Sequence, residues 1–356
     1  MSLKTTTKLG GTASHVAVGK VAHGLMTMTV YAARTRPDEE LFEAIKAGVD
    51  ALPPGTKMVL NTVLRPSTNR IANLELLARF YEANPAYVDK TFLMVKGAVN
   101  VEAGRARADN SLENLRRSVD ACNAALRGTK KIDVFQSARV DRARPIEEAI
   151  RNMVVLKEEG KFEHIGLSEC KAETVRRAHA VHPIAVVEIE VSIWSYEEET
   201  KKVIEATSEL GIAVTGYSPL GRGFLTGQIK SMDDIPADDL RRMMTRFKQC
   251  QGHSAIADKK GVAPAQLAIA WVAQLGPHVL PLPGMSYVSS LAAASAVLPF
   301  MVALVCRTKK RTLENLSGGD VVLTEAELAE IAGVQEKYPV QGDRYFGNDE
   351  AAGLWG

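Results

Sequence analysis

Strand-like and helix-like segments alternate along most of the chain, and this alternation constrains the fold more than any other feature. Val21 to Met26 reads as a first strand. Met58-Val59-Leu60 precedes a helical pattern from Ala72 to Glu82, and Thr91 to Lys96 precedes a helix from Ser111 to Leu126. The latter helix carries apolar residues at 112, 115, 119, 122 and 126, a 3.6-residue period. Asn110, with Glu113 three residues on, suits its N-cap. Ile132 to Phe135 leads to a helix from Ile146 to Glu159, and His164 to Leu167 to one from Ala172 to Ala180. Ile184 to Ile189 leads to a helix from Glu198 to Leu210; Gly160 and Gly211 act as stops. Ile212 to Thr215 is a further strand, Pro264 opens a helix to about Gln274, and Val279 to Leu282 is the last strand. Repeated strand–helix units without consecutive strands mean a parallel sheet covered by helices. About eight of them argue for a closed (β/α)8 TIM barrel, an α/β fold, over an open sheet. An open nucleotide-binding sheet needs Gly-x-Gly-x-x-Gly after its first strand, whereas Gly10-Gly11 precedes that strand with the wrong spacing.

The 356 residues suit one such domain, with a polar arm (1–19), an apolar insertion (about 286–307) and a tail (338–356). A net charge of +2 gives no reason to expect nucleic acid as a partner. The four cysteines form no CxxC pair and no metal-like cluster with the seven histidines, which fits a reducing, cytoplasmic location. The arm lacks the apolar core of a signal peptide. Tyr287 to Cys306 is free of charge and has the length of a membrane span, yet a span there would pull the last barrel unit apart, so no membrane partner is expected. Oligomeric state is not legible.

Gly216-Tyr217-Ser218-Pro219-Leu220-Gly221-Arg222-Gly223-Phe224-Leu225-Thr226-Gly227 follows an apolar strand. Strand ends opening into such loops are where parallel α/β proteins bind ligands. The ring of Tyr217 offers a face for a planar ligand, and the glycines let backbone approach phosphates. On the same end of the barrel fall Asn61, Lys96-Gly97 and Leu167-Ser168-Glu169.

This combination resembles the aldo-keto reductases, and within them the fungal pyridoxal reductase-like branch. Phe135-Gln136-Ser137-Ala138-Arg139-Val140-Asp141, Pro145-Ile146-Glu147-Glu148 and Ala178 to Ala185 carry the resemblance along with the Tyr217 loop. It covers about Val21 to Val334 with two breaks. It implies a barrel that reduces an aldehyde or ketone, a small-molecule carbonyl substrate, with NADPH. Hydride passes from nicotinamide to the carbonyl carbon, and a tyrosine activated by a lysine and an aspartate gives the proton. A phenol near pKa 10 is slow at neutral pH, and a nearby ammonium stabilises its phenolate.

The resemblance gives catalytic positions to Lys96 and to Asn61, which stands at the family's aspartate. Ala138 stands where many members have a substrate-orienting histidine. Ser168, Glu169 and Glu188 resemble the carboxamide-binding positions, Tyr217 the nicotinamide-stacking residue, and Ser218, Leu220, Gly221 and Arg222 the pyrophosphate loop. Lys309, Arg311, Glu314 and Asn315 match a basic segment opening a helix, suited to a 2′-phosphate and hence NADP over NAD.

Two departures stand out. Pro66 occupies the place of the family's tyrosine, with Tyr31 and Tyr196 as substitutes from loops. The apolar insertion separates Pro281-Leu282-Pro283-Gly284 from the basic segment. Both breaks have abrupt edges, the pattern of misplaced exon boundaries. The expected function is therefore reduction of a pyridoxal-like aldehyde, with a catalytically impaired NADP(H)-binding barrel, acting as sensor or partner subunit, as the alternative.

Overall fold

The computed structural model describes residues 2–29, 37–64, 71–102, 105–229, 231–234, 240–243, 246, 254–284, 308–345 and 353–356. The sheet among them has eight strands: β1 (His23–Gly24), β2 (Met58–Val63), β3 (Thr91–Gly97), β4 (Val134–Ser137), β5 (His164–Ser168), β6 (Val186–Glu190), β7 (Ala213–Tyr217) and β8 (Val279–Leu282). Every ladder is parallel and joins sequence neighbours. Two bonds close the ring: Ala22 N–H donates to Pro281 O at 2.9 Å and Gly24 N–H to Pro283 O at 3.3 Å. The expected (β/α)8 barrel is the observed fold.

The helices are α1 (Asp38–Asp50), α2 (Ala72–Ala83), α3 (Leu112–Leu126), α4 (Ile146–Glu158), α5 (Ala172–Val181), α6 (Glu198–Glu209), α7 (Ser254–Lys260), α8 (Pro264–Ala273), α9 (Lys309–Ser317) and α10 (Glu325–Lys337). Their apolar stripes pack on the outward strand residues, as α3 does through Leu115, Val119, Cys122 and Leu126. Each fully buried aliphatic side chain of this layer contributes roughly 1.5–3 kcal/mol relative to exposure. Gly160 and Gly211, the expected stops, follow α4 and α6 with φ of +76° and +64°.

The structure corrects the sequence reading in several places. The first strand is only His23–Gly24, because the chain turns into a helical turn, Met26–Thr29, directly after it. Ser111, not Asn110, caps α3: its hydroxyl accepts from Asn114 N, while Asn110 accepts from the Ser137 hydroxyl at 3.0 Å. Two antiparallel hairpins went unforeseen. One, Val99–Glu102 with Arg105–Ala108, follows β3. The other, Thr6–Lys8 with Ala17–Gly19, lies in the N-terminal arm and closes the barrel floor with Leu9, Ala13 and Val18 in the interior cluster. Gly10 and Gly11 serve this plug. A Cβ on Gly10 would lie 2.4 Å from Gly211 O, and one on Gly11 2.3 Å from Ile184 O. The apolar segment 286–307, Pro66 and Tyr31 lie outside the described residues. No helix among the described residues is long and apolar enough to cross a membrane.

Candidate active site

Alternate strand residues face the barrel interior. Val59, Met94, Val134, Val186, Ala213 and Leu280 fill it with a dry apolar layer. Two residues further along each strand the interior turns polar: Asn61, Lys96, Gln136, Ser168, Glu188 and Thr215 point inward at the C-terminal ends. All but Lys96 are buried, and Lys96 has 14 % side-chain exposure. Gly166, register partner of Gln136 and Val186, leaves room here, since a Cβ would come within 2.7 Å of Gln136 Cγ.

The centre is a ring of three hydrogen bonds. Lys96 Nζ donates to Asn61 Oδ1 at 2.7 Å and meets Glu188 Oε1 at 2.5 Å. Asn61 Nδ2 donates to Glu188 Oε2 at 2.6 Å, and the Thr215 hydroxyl donates to the same oxygen at 3.4 Å. Asn61 thus orients Lys96 as expected, but the charge opposite the ammonium comes from β6. An ammonium has three donors, and among the described residues these are its two partners, so one donor is left for a ligand or water.

Above this ring the strands end in strained turns. Ala98, Glu169 and Ser218 directly follow β3, β5 and β7, and all three have left-handed φ, of 63°, 54° and 55°. Arg222 does too, at 54°. Non-glycine residues rarely adopt this conformation, and its concentration on one rim marks a site. Tyr217 ends β7, half-buried. Burial raises its phenol well above the ordinary range, with Glu169, Tyr345 and Glu190 adding to the effect. Burial thus holds the Tyr217 hydroxyl in its neutral form.

The tail reaches this rim, a relationship the sequence did not disclose. Arg344 Nη2 donates to Glu169 Oε2 at 2.7 Å, and its Nη1 lies 3.7 Å from Glu190 Oε2. Its guanidinium rests on the Trp355 ring, 4.7 Å from the centroid. Tyr345 places its hydroxyl 3.3 Å from that of Tyr217, and Arg222 stacks over the Tyr345 ring at 4.5 Å. Arg222 also lies 3.8 Å from Glu190 Oε2. Burial raises the Glu190 carboxyl above its ordinary range, against the pull of Arg222 and Arg344. Gly356 N donates to Glu169 O and Gly356 O accepts from Lys171 N, both at 3.1 Å. Arg246, from the loop after β7, donates to Gly342 O and to the Ser195 hydroxyl, pinning the tail from the other side.

The structure thus brings Asn61, Lys96 and Glu188 together and sets Tyr217, Ser218, Leu220, Gly221 and Arg222 above them on one loop. Ser168 is the register partner of Glu188. Glu169 is committed to Arg344 rather than open to a ligand. Tyr196 lies elsewhere: its ring packs edge-on against Trp271 of α8, 5.0 Å between centroids. Lys309 and Arg311 stand in the first turn of α9 and Glu314 and Asn315 one turn further on; Thr308 accepts from Arg311 N, and Arg311 pairs with Glu314 at 2.7 Å. Between α1 and α9 lies a recess of about 330 Å³ lined by Glu39, Glu40, Glu43, Thr308 and Lys309.

The model of the Aldo/keto reductase family matches residues 69–334. The chain belongs to the aldo/keto reductase family. Aldo-keto reductase str7 of Strobilurus tenacellus is 33 % identical over 264 residues, 71 % of each chain. The glycerol dehydrogenase of Gluconobacter oxydans shares the fold, with a TM-score of 0.74 at 20 % identity over 96 % of this chain and 98 % of its own. Membership makes this aldo/keto reductase an oxidoreductase of small carbonyl compounds, with a nicotinamide dinucleotide as the family's cofactor. The residues present fit such a group: among the described residues, Arg222 Nε is a buried donor on the rim without a hydrogen-bond partner, and Glu190 Oε2, near two guanidinium groups, is a buried acceptor without one. Gln136 Oε1, without a hydrogen-bond partner among the described residues, and Thr215 and Arg344 belong to the same end of the barrel, and the motif reading passed over them. Gln136 stood within a quoted motif; the tail gave no signal at all.

Proposed function

We propose that this aldo/keto reductase reduces a pyridoxal-like aldehyde to the alcohol with NADPH. The observation that carries the reading is Lys96, an ammonium held at the mouth of the barrel with one donor left over, beneath the Tyr217 ring. NADPH, when bound, supplies hydride to the carbonyl carbon. Tyr217 gives the nicotinamide a flat face. Arg222 and the loop from Ser218 to Gly221 serve the pyrophosphate, and Ser168 the carboxamide. Lys96 would hold the carbonyl oxygen and stabilise the negative charge that develops there, and water reaching the ammonium would supply the proton that completes the alcohol. Lys309, Lys310 and Arg311 at the start of α9 favour a 2′-phosphate. Glu39, Glu40 and Glu43 across the recess oppose that charge, so the preference is read by comparing NADPH with NADH.

A second reading rests on Pro66, which puts no hydroxyl where the family's tyrosine stands. It makes the chain a dinucleotide-binding barrel without turnover, a sensor or partner subunit. Mixing the protein with NADPH and pyridoxal and following the absorbance of the reduced nicotinamide separates the two. Turnover establishes the first reading; tight NADPH binding without turnover establishes the second. Absence of binding overturns both.

A further inference from the structure

We infer that Glu188 is the positioning carboxylate of Lys96, and that positions 61 and 188 form an exchangeable pair in which one carboxylate and one amide are required, on either side. The inference deepens the carbonyl-reductase reading and gives Glu188 a role other than carboxamide binding.

The argument is a count of donors and acceptors. Glu188, with 3 % side-chain exposure, has acceptors only, and each oxygen is engaged: Oε1 by Lys96 and Oε2 by Asn61 and Thr215. The carboxylate therefore fixes the orientation of the Asn61 amide, with NH₂ toward Glu188 and oxygen toward Lys96. The ring closes only because one member is anionic and the other supplies one donor and one acceptor. Two amides break it. With glutamine at position 188 accepting from Asn61, its own NH₂ meets the Lys96 ammonium, donor against donor, and the ammonium has no counter-charge. Two carboxylates break it differently: their oxygens face one another with no proton between them, sharing a single ammonium. Aspartate at position 61 with glutamine at position 188 restores the three bonds of the ring, and the Thr215 hydroxyl changes from donor to acceptor. The glutamine NH₂ then donates to one aspartate oxygen, and Lys96 donates to the other aspartate oxygen and to the glutamine carbonyl. The chain has thus placed on β6 the charge that the family's pattern places on β2, across the barrel from it.

The test is a four-member cycle: the natural chain, Glu188→Gln, Asn61→Asp and the double exchange. Thermal midpoint, NADPH affinity by fluorescence quenching, and kcat and KM for pyridoxal are read on each. Glu188→Gln is expected to lower the midpoint and to lower kcat roughly tenfold to a hundredfold, as displacement of a catalytic group does. NADPH affinity should stay within about threefold. Adding Asn61→Asp should bring both midpoint and kcat back toward the natural values. A carboxamide ligand behaves otherwise. Glu188→Gln would then chiefly change NADPH affinity, and a substitution on β2 would not rescue it. That pattern, or an unchanged midpoint and kcat in Glu188→Gln, overturns the inference. If the natural chain shows no turnover, the reductase reading fails alone: rescue of the midpoint by the double exchange still upholds the pairing, and no rescue overturns it.

Discussion

The Arg344 guanidinium and the Glu169 carboxylate meet at 2.7 Å with side-chain exposures of 1 % and 0 %, joining the tail to the end of β5. The two residues stand far apart in sequence, yet their pair sits on the rim of the active site. Next to Arg344, Tyr345 touches Tyr217 and Arg222, two residues proposed to meet the cofactor. A charge removed from water this completely needs its partner.

Arg344→Ala is expected to destabilise the protein by about 3–5 kcal/mol, since it leaves Glu169 buried and uncompensated. Removing both charges, as Arg344→Met with Glu169→Leu, should cost less than the single change. Urea denaturation of the three variants checks this. A double variant as unstable as the sum of the single ones would show that the pair is not what ties the tail down.

On the proposed reading Tyr217 acts through its ring. Tyr217→Phe should bind NADPH as the natural protein does, because it loses only the hydroxyl contact with Tyr345. Tyr217→Ala should weaken binding roughly threefold to tenfold, the scale of an aromatic stacking contact. Fluorescence titration decides it, and equal loss in both variants would assign the role to the hydroxyl.

His23 is buried, neither ring nitrogen has a hydrogen-bond partner among the described residues, and burial lowers its pKa to about 4. The unfolded chain takes up the proton as pH falls through about 6.5, whereas the folded protein resists until about 4. The stability contribution is therefore complete above that upper value and is lost as pH falls through the window, by on the order of 3 kcal/mol at its lower end. His23→Leu removes this titration and should flatten the decline in urea stability between neutral and mildly acid pH. An unchanged slope would place the acid sensitivity in other histidines, of which His164 and His278 are also held below the ordinary value, chiefly by burial.

Gly10 is a test of the barrel floor. A methyl group there meets Gly211 O at 2.4 Å, Ile212 Cα at 2.5 Å and Ala213 N at 2.6 Å, all of them backbone. Gly10→Ala should cost about 1–3 kcal/mol of stability, the range for overpacking. NADPH affinity, set at the opposite end of the barrel, should be unchanged. A thermal melt alongside a binding titration measures both.

The sequence by itself determined the barrel, because alternation of apolar strands with helices of 3.6-residue period is written locally, residue by residue. It also singled out Asn61, Lys96 and the Tyr217 loop, which lie at the C-terminal ends of β2, β3 and β7. Local pattern does not record which distant side chains meet, and there the tertiary structure decided. Glu188 faces Lys96 because β3 and β6 lie across one closed ring. The N-terminal arm proved to be a floor because its glycines approach the backbone before β7. Glu169 proved to hold the tail because its buried charge is matched by Arg344, 175 residues away. Long-range pairing of buried charges obeys geometry and desolvation rather than spacing, and only the folded chain supplies the geometry.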